Sequence, residues 1–153
     1  YFLFEGNAVI YRARVKGDVT VPDILGGCTV KGIFEDAFTN NDELIGITVA
    51  GSIEYIGKSA FDSCRSLKKV VMLEGVKVID DFAFDTYDYG IEVGYDSVLE
   101  SLTLPDSVEH IGLSAFWGAP IKGKVVLPEN LKVLKPEAFS DTYIDEVIKM
   151  GEE

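Results

Sequence analysis

The pair Ala-Phe occurs five times in this chain, at Ala37-Phe38, Ala60-Phe61, Ala83-Phe84, Ala115-Phe116 and Ala138-Phe139, spaced by 23, 23, 32 and 23 residues. A fixed period of this length marks a repeat architecture, in which one unit cannot bury its apolar edge alone and must stack on the next. Further columns keep the same beat. Four residues before each Ala stand Ile33, Ile56, Ile79, Ile111 and Leu134, and three before those Val30, Ile53, Val76, Val108 and Leu131. Upstream lies an alternating pair: Ile47 and Val49, Val70 and Met72, Leu102 and Leu104, Val125 and Leu127, then Ile148 and Met150. Leu44, Leu67 and Leu99 precede that pair by three. Six columns in register over about five copies predict a solenoid with one continuous core.

The chemistry of a single copy predicts its shape. Apolar-polar-apolar triplets such as Leu102-Thr103-Leu104 and Ile47-Thr48-Val49 read as short strands with one face inward. Pro105 and Pro128 follow directly and end them, because proline cannot donate to a ladder. Ile111-Gly112-Leu113-Ser114-Ala115-Phe116 then turns, with Ala permitting close approach and Phe filling the space beneath. Strands of successive units are expected to pair in parallel along one side of a curved solenoid, joined by turns or short helical segments. At the start, Phe2-Leu3-Phe4 and Ala8-Val9-Ile10-Tyr11 flank Glu5-Gly6-Asn7, a hairpin signal. Gly17-Asp18-Val19-Thr20-Val21-Pro22 and Gly26-Gly27 lead on to Val30. A hairpin there would cover the first repeat's core and strand edge. The whole chain reads as one domain over 1–153: a hairpin cap and lead-in strand over 1–22, then repeats over 23–153 with an insertion near 85–97.

The motif Leu99-x-x-Leu102-x-Leu104-Pro105-x-x-Val108-x-x-Ile111-Gly112-x-x-Ala115-Phe116 resembles the BspA-type leucine-rich repeat. So does Leu44-x-x-Ile47-x-Val49-x-x-x-Ile53-x-x-Ile56-Gly57-x-x-Ala60-Phe61-x-x-Cys64, which also keeps the cysteine of that consensus; Asn41, Tyr87, Ala119 and Thr142 replace it elsewhere. The resemblance runs from about Gly17 to the C-terminus. It implies a leucine-rich-repeat solenoid, a right-handed superhelix of α/β type built mostly from short parallel strands. It also implies an exported or surface-exposed bacterial protein with a role in adhesion, by analogy only. The chain begins at Tyr1 and not at Met, as a processed or trimmed fragment would, so a leader is not expected within it.

Composition narrows the partners. A net charge of −12 repels phosphate backbones and anionic lipid heads, which argues against nucleic acid and membrane surfaces. The longest apolar runs, such as Val70-Val71-Met72-Leu73, fall far below the ~20 residues of a membrane helix, so direct membrane insertion is not expected. Two cysteines, Cys28 and Cys64, form neither a disulfide framework nor a metal cage, and their pairing with each other stays open. No cofactor motif is present: Gly57 and Gly112 recur with the repeat and read as turn residues, and no Gly-x-Gly-x-x-Gly occurs. Catalysis is not expected either. The one histidine, His110, sits beside Glu109 between core positions and is expected to face solvent. Trp117 follows an Ala-Phe pair and is expected to pack at an edge.

The alternatives to a binding module are a rigid structural spacer and a carbohydrate-recognition accessory to a catalytic domain outside this sequence; for a protein or glycan ligand two surfaces remain. The first is the insertion Asp85-Thr86-Tyr87-Asp88-Tyr89-Gly90-Ile91-Glu92-Val93-Gly94-Tyr95-Asp96-Ser97, which makes one repeat spacing nine residues longer than the others. Insertions emerge as loops on one face of a solenoid, and Tyr87, Tyr89 and Tyr95 offer contact area at little entropic cost. Asp85, Asp88, Glu92 and Asp96 cluster there, but without the Asp-x-Asp-x-Asp-Gly alternation of a calcium loop. They read as a solvated acidic loop, not a metal site. The second surface is the row of outward strand positions Thr48, Val71, Thr103 and Val126, flanked by Gly46, Lys69, Ser101 and Lys124. Small, β-branched and mildly basic, it differs from the acidic whole; β-branched residues also simply favour strands.

Overall fold

The computed structural model describes residues 2–4, 6–86 and 99–149. In chain order the strands are β1 (Phe2–Phe4), β2 (Asn7–Ile10), β3 (Gly17–Val21), β4 (Ile24–Leu25), β5 (Cys28–Ile33), β6 (Leu44–Val49) and β7 (Tyr55–Ile56). There follow β8 (Lys69–Met72), β9 (Val78–Ile79), β10 (Ser101–Thr103), β11 (His110–Ile111), β12 (Lys122–Leu127), β13 (Val133–Leu134) and β14 (Tyr143–Lys149). Among the described residues there is no helix. The architecture is a leucine-rich-repeat solenoid of parallel strands, with the six columns lining its interior. Ile33, Ile56, Ile79 and Ile111 are fully buried, as are Val30, Ile53, Val76 and Val108.

Each turn of the solenoid contributes to more than one ladder, where the sequence predicts a single strand row. One sheet runs β1-β2-β5-β7-β9-β11-β13, parallel from β2 onward. A second runs β3-β6-β8-β10, also parallel. The expected hairpin is present: β1 pairs antiparallel with β2, and β2 lies on β5, where it covers the first strand edge.

The Ala-Phe segments are turns and not helices, because each carries left-handed residues. Asp36, Ser59, Phe82, Ser114 and Glu137 form one column at φ between 50° and 60°. Asn40, Ser63, Gly118 and Asp141 form a second column four residues on. Such residues break helical propagation, since a left-handed conformation turns the peptide groups away from the helix axis. The peptide groups instead face the next turn. Asp36, Phe38 and Asn40 donate their N–H groups to the carbonyls of Lys58, Ala60 and Asp62 at 3.1, 2.7 and 2.8 Å. Ser59, Phe61 and Ser63 donate in the same way to Asp81, Ala83 and Asp85, and the pattern continues through Phe82, Phe84 and Thr86 to Ser114, Phe116 and Gly118. A third inter-turn ladder therefore satisfies backbone groups that irregular segments would otherwise leave exposed or orphaned.

Inside that ladder the phenylalanines stack. Ring centroids of Phe38, Phe61, Phe84, Phe116 and Phe139 follow one another at 4.9, 4.8, 5.1 and 5.2 Å, with planes within 6° of parallel. Spacings of this size suit offset aromatic stacking, and they match the separation of neighbouring strands. The long spacing between the third and fourth Ala-Phe pairs leaves this register intact, since Phe84 stacks on Phe116 as the other rings stack on their neighbours. Gly57 and Gly112 serve close approach rather than a turn conformation. A Cβ on Gly57 would stand 2.8 Å from the Glu35 nitrogen, and one on Gly112 would overlap the backbone of Asp80 and Asp81.

Candidate functional site

On the second sheet, backbone register aligns Thr20, Thr48, Val71 and Thr103 in one row, and Asp18, Gly46, Lys69 and Ser101 in another. Their neighbours Ile47, Val49, Val70 and Met72 point into the core and are buried, so Thr20, Thr48, Val71 and Thr103 form the outward face. Thr20 and Thr103 are exposed, Thr48 and Val71 half-buried. Asp18 and Thr20 extend the face beyond the positions expected from sequence, where Gly17–Val21 reads only as a lead-in strand. The alternation Asp18-x-Thr20 carries the same outward pattern as the later strands and was the available signal.

Val126 and Lys124 do not join that face. β12 pairs with β14 in a separate two-stranded sheet, and among the described residues it has no ladder to β10; the isolated bridge Leu99–Ile121 lies at its start. Gly123 stands at φ 83°, and the β12–β14 ladder shifts register between Gly123 and Lys124. The face is also less basic than expected. The Asp18 carboxylate lies over Gly46, where a Cβ would overlap it, and Glu146 pairs with Lys124 at 2.5 Å. Both acids come from strands outside the four residues counted from sequence.

On the first sheet, Lys31 within β5 and the residues just before β7, β9, β11 and β13 carry charges that alternate in sign along the solenoid: Lys31, Glu54, Lys77, Glu109 and Lys132. Glu54 receives Lys31 at 2.7 Å and Lys77 at 2.8 Å, and Glu109 receives Lys132 at 2.7 Å. The hydrogen bonds from the two lysines hold the Glu54 carboxyl well below the ordinary range, at about 2. Beside this row, Tyr55 donates to the Asp80 carboxylate; burial, then that bond, pushes its phenol up. Burial raises the Asp81 carboxyl, but Lys135 at 2.9 Å and the Leu113 N–H outweigh it and leave it lowered. All of these groups are engaged with one another, as in a structural ion-pair network.

The remaining residues singled out from the sequence are placed as follows. His110 is half-buried in β11, between Val78 and Val133 in register. Trp117 is half-buried at the turn edge, its indole N–H donating to Asp141 at 2.7 Å. Both cysteines are free. The Cys64 thiol donates to the Phe38 carbonyl at 3.1 Å, and burial pushes it up to about 11, so it fills space instead of acting as a nucleophile. Asp85 is buried and not part of a solvated loop; its carbonyl accepts the Ser63 N–H. Tyr87, Tyr89 and Tyr95, with Asp88, Glu92 and Asp96, lie outside the described residues. Among the described residues no group of three or more His, Cys, Asp or Glu side chains is gathered as a metal site, and no helix is long and apolar enough to cross a membrane.

A model of the BspA type leucine rich repeat region (6 copies) matches residues 22–93 and again 90–151, nearly the whole of the repeat array. The chain belongs to the BspA-type leucine-rich-repeat family. Its solved structural neighbours share the fold of this family. A leucine rich repeat protein of T. pallidum superposes with a TM-score of 0.80 at 24% identity, over 93% of this chain and 63% of that one. One from Bacteroides ovatus superposes at 0.75 with 24% identity, over 97% of this chain and 38% of that one. The pneumococcal vaccine antigen PcpA superposes at 0.60 with 22% identity, over 95% of this chain and 44% of its own. The BspA-type chain thus spans less than two thirds of the length of each of these neighbours. No curated protein matches it.

Proposed function

We propose that this BspA-type chain is a non-catalytic binding module of an exported or cell-surface bacterial protein, and that it serves adhesion through protein–protein or protein–glycan contact. The observation that carries the reading is the outward row Thr20, Thr48, Val71 and Thr103, aligned by backbone register on a sheet whose other face is fully committed to the core. Short side chains on a regular sheet let a partner approach the backbone closely, and Asp18 and Lys69 supply opposite charges beside them. The extracellular setting is supported by family membership and by the likeness to a vaccine antigen. Immobilised chain exposed to surface-protein extracts and a glycan array should retain a partner, and Thr48→Arg with Val71→Arg should abolish retention without changing the fold. Retention unchanged by these bulky charges would refute the assignment to this face.

A rigid spacer is the second reading. Three inter-turn ladders and the charge row Lys31 to Lys132 tie each turn to the next, which suits a stiff rod that holds another domain at a distance. Full-length protein whose adhesion survives exchange of this region for an unrelated solenoid of equal length would favour the spacer.

A further inference from the structure

Around the N-terminal cap lies a cleft of about 440 Å³ lined by Arg12, Ala13, Arg14, Asp36, Ala37 and Thr39. Two exposed cations line it, Arg12 and Arg14, and a third, Lys16, follows in the chain, in a protein of net charge −12. Two of them are already engaged. Arg14 donates Nη1 to the Thr39 and Asn40 carbonyls at 2.8 and 3.0 Å, standing in for the turn that would precede the first one. Lys16 pairs with Glu43 at 3.6 Å. Arg12 makes no hydrogen bond or ion pair among the described residues; its guanidinium lies over the Tyr11 ring, 5.6 Å from the centroid. Tyr11 meets Phe34 edge-on at 5.8 Å, and both rings are 42% exposed. Arg12 is also held at φ 46°, a left-handed conformation that a long side chain adopts only when its surroundings impose it.

We infer that this cleft is a binding site for an acidic sugar residue, a uronic acid at the end of or within a glycan. The assignment follows from three complementary chemistries at one place. A guanidinium fork without an ionic partner matches a carboxylate in bidentate geometry. The Tyr11 and Phe34 rings, next to Arg12 though outside the cleft's own lining, are 42% exposed and offer their remaining apolar surface to the C–H groups of a pyranose. The Asp36 carboxylate, also lining the cleft, accepts hydroxyl donors, which a sugar has in number and a simple carboxylate lacks. The volume falls within the range of small-ligand sites and accommodates one or two sugar rings. This site shares no residue with the Thr20–Thr48–Val71–Thr103 face and is independent of the function proposed for that face.

The test is a titration of the intact chain with glucuronic acid, with glucose and acetate as matched controls, followed by backbone amide shifts. Saturable shifts centred on residues 11–14 and 34–39 are expected with glucuronic acid, with glucose and acetate each weaker by about tenfold or more, as the loss of a charge-assisted bidentate pair or of the ring contacts implies. Arg12→Gly suits the left-handed backbone and should retain the thermal unfolding midpoint while weakening glucuronic acid binding by about tenfold. Arg12→Lys should restore only part of it, because an ammonium lacks the fork. Phe34→Ala should weaken binding of the sugar acid and leave acetate unchanged. Absence of saturable shifts, shifts that map elsewhere, or equal affinity for acetate or for glucose would each overturn the proposal.

Discussion

At the N-terminal end of the solenoid each ladder meets a partner that is not itself a repeat. β2 covers the edge of β5, β3 covers β6, and the Ala13 N–H and the Arg14 guanidinium bond to carbonyls of the first turn segment. Ala8 and Val30 beneath this cap are fully buried. The last described turn carries the same column residues with a different outcome. Leu134, in the column of Ile33, Ile56, Ile79 and Ile111, is 45% exposed, and Phe139 is half-buried at the end of the aromatic stack. A column residue in a solenoid gains its burial from the turn that follows as much as from its own. The same side chain is therefore core in one turn and surface in another.

Truncations should break this comparison most sharply. Phe61→Ala, in the middle of the stack, should cost about 3–5 kcal/mol, whereas Phe139→Ala should cost less than about half of that; chemical denaturation measures both, and equal losses would mean that the terminal turn is as well packed as the centre. Ile111→Ala should cost about 2–5 kcal/mol against about 1 kcal/mol or less for Leu134→Ala, since the exposed leucine leaves no cavity. Gly112→Ala tests the close approach of turns directly. Its Cβ must displace the Asp80–Asp81 backbone, for a loss of about 1–3 kcal/mol.

Arg14→Ala asks whether the cap is held by one side chain. A loss of about 1 kcal/mol is expected, with faster amide exchange confined to the first turn segment near Ala37 and Phe38; exchange accelerated throughout would show that the turns unfold as one. The smallest effect concerns the charge row. Glu54 is lowered in the folded state from 4.5 to about 2, so its contribution is fully present above pH 4.5 and is lost as pH falls through about 2. Wild type should therefore lose melting temperature between these values more steeply than Glu54→Gln, and high salt should shrink the difference, because the pair is exposed. Identical pH profiles would remove any role for the row.

Much of this comparison is legible from the columns, and the failures are local. The buried identities of Ile33 through Ile111, the hairpin over residues 2–10 and the outward placement of Thr48, Val71 and Thr103 all follow from periods of 23 and 2. The last strand does not follow them. Ile148 and Met150 are expected to continue the pair Val125 and Leu127, yet Val147 stands opposite Val125 and Lys149 opposite Leu127. A strand packed on one side only is weakly held in register, and the bulge after Gly123 changes the slip from two residues to one without removing it. The candidate face failed at the same place, with Val126 and Lys124 drawn into the β12–β14 pair. The Arg12 cleft could not be read at all, because it joins residues 11–16 to residues 34–39 across a turn that precedes the repeat and has no column of its own.

By itself the sequence determined the period, the identity of the core columns, the parallel stacking of turns and the capped start. These are consequences of apolar spacing, which any fold of this chain must satisfy in order to bury its Ile, Val and Phe side chains. Only the tertiary structure decided that the Ala-Phe segments form a hydrogen-bonded ladder of their own, through Asp36, Ser59, Phe82, Ser114 and Glu137 at positive φ. It alone decided which charges meet and where the second sheet ends. Those features depend on backbone conformation at residues of ordinary type and on contacts between turns, and neither leaves a mark in composition or spacing.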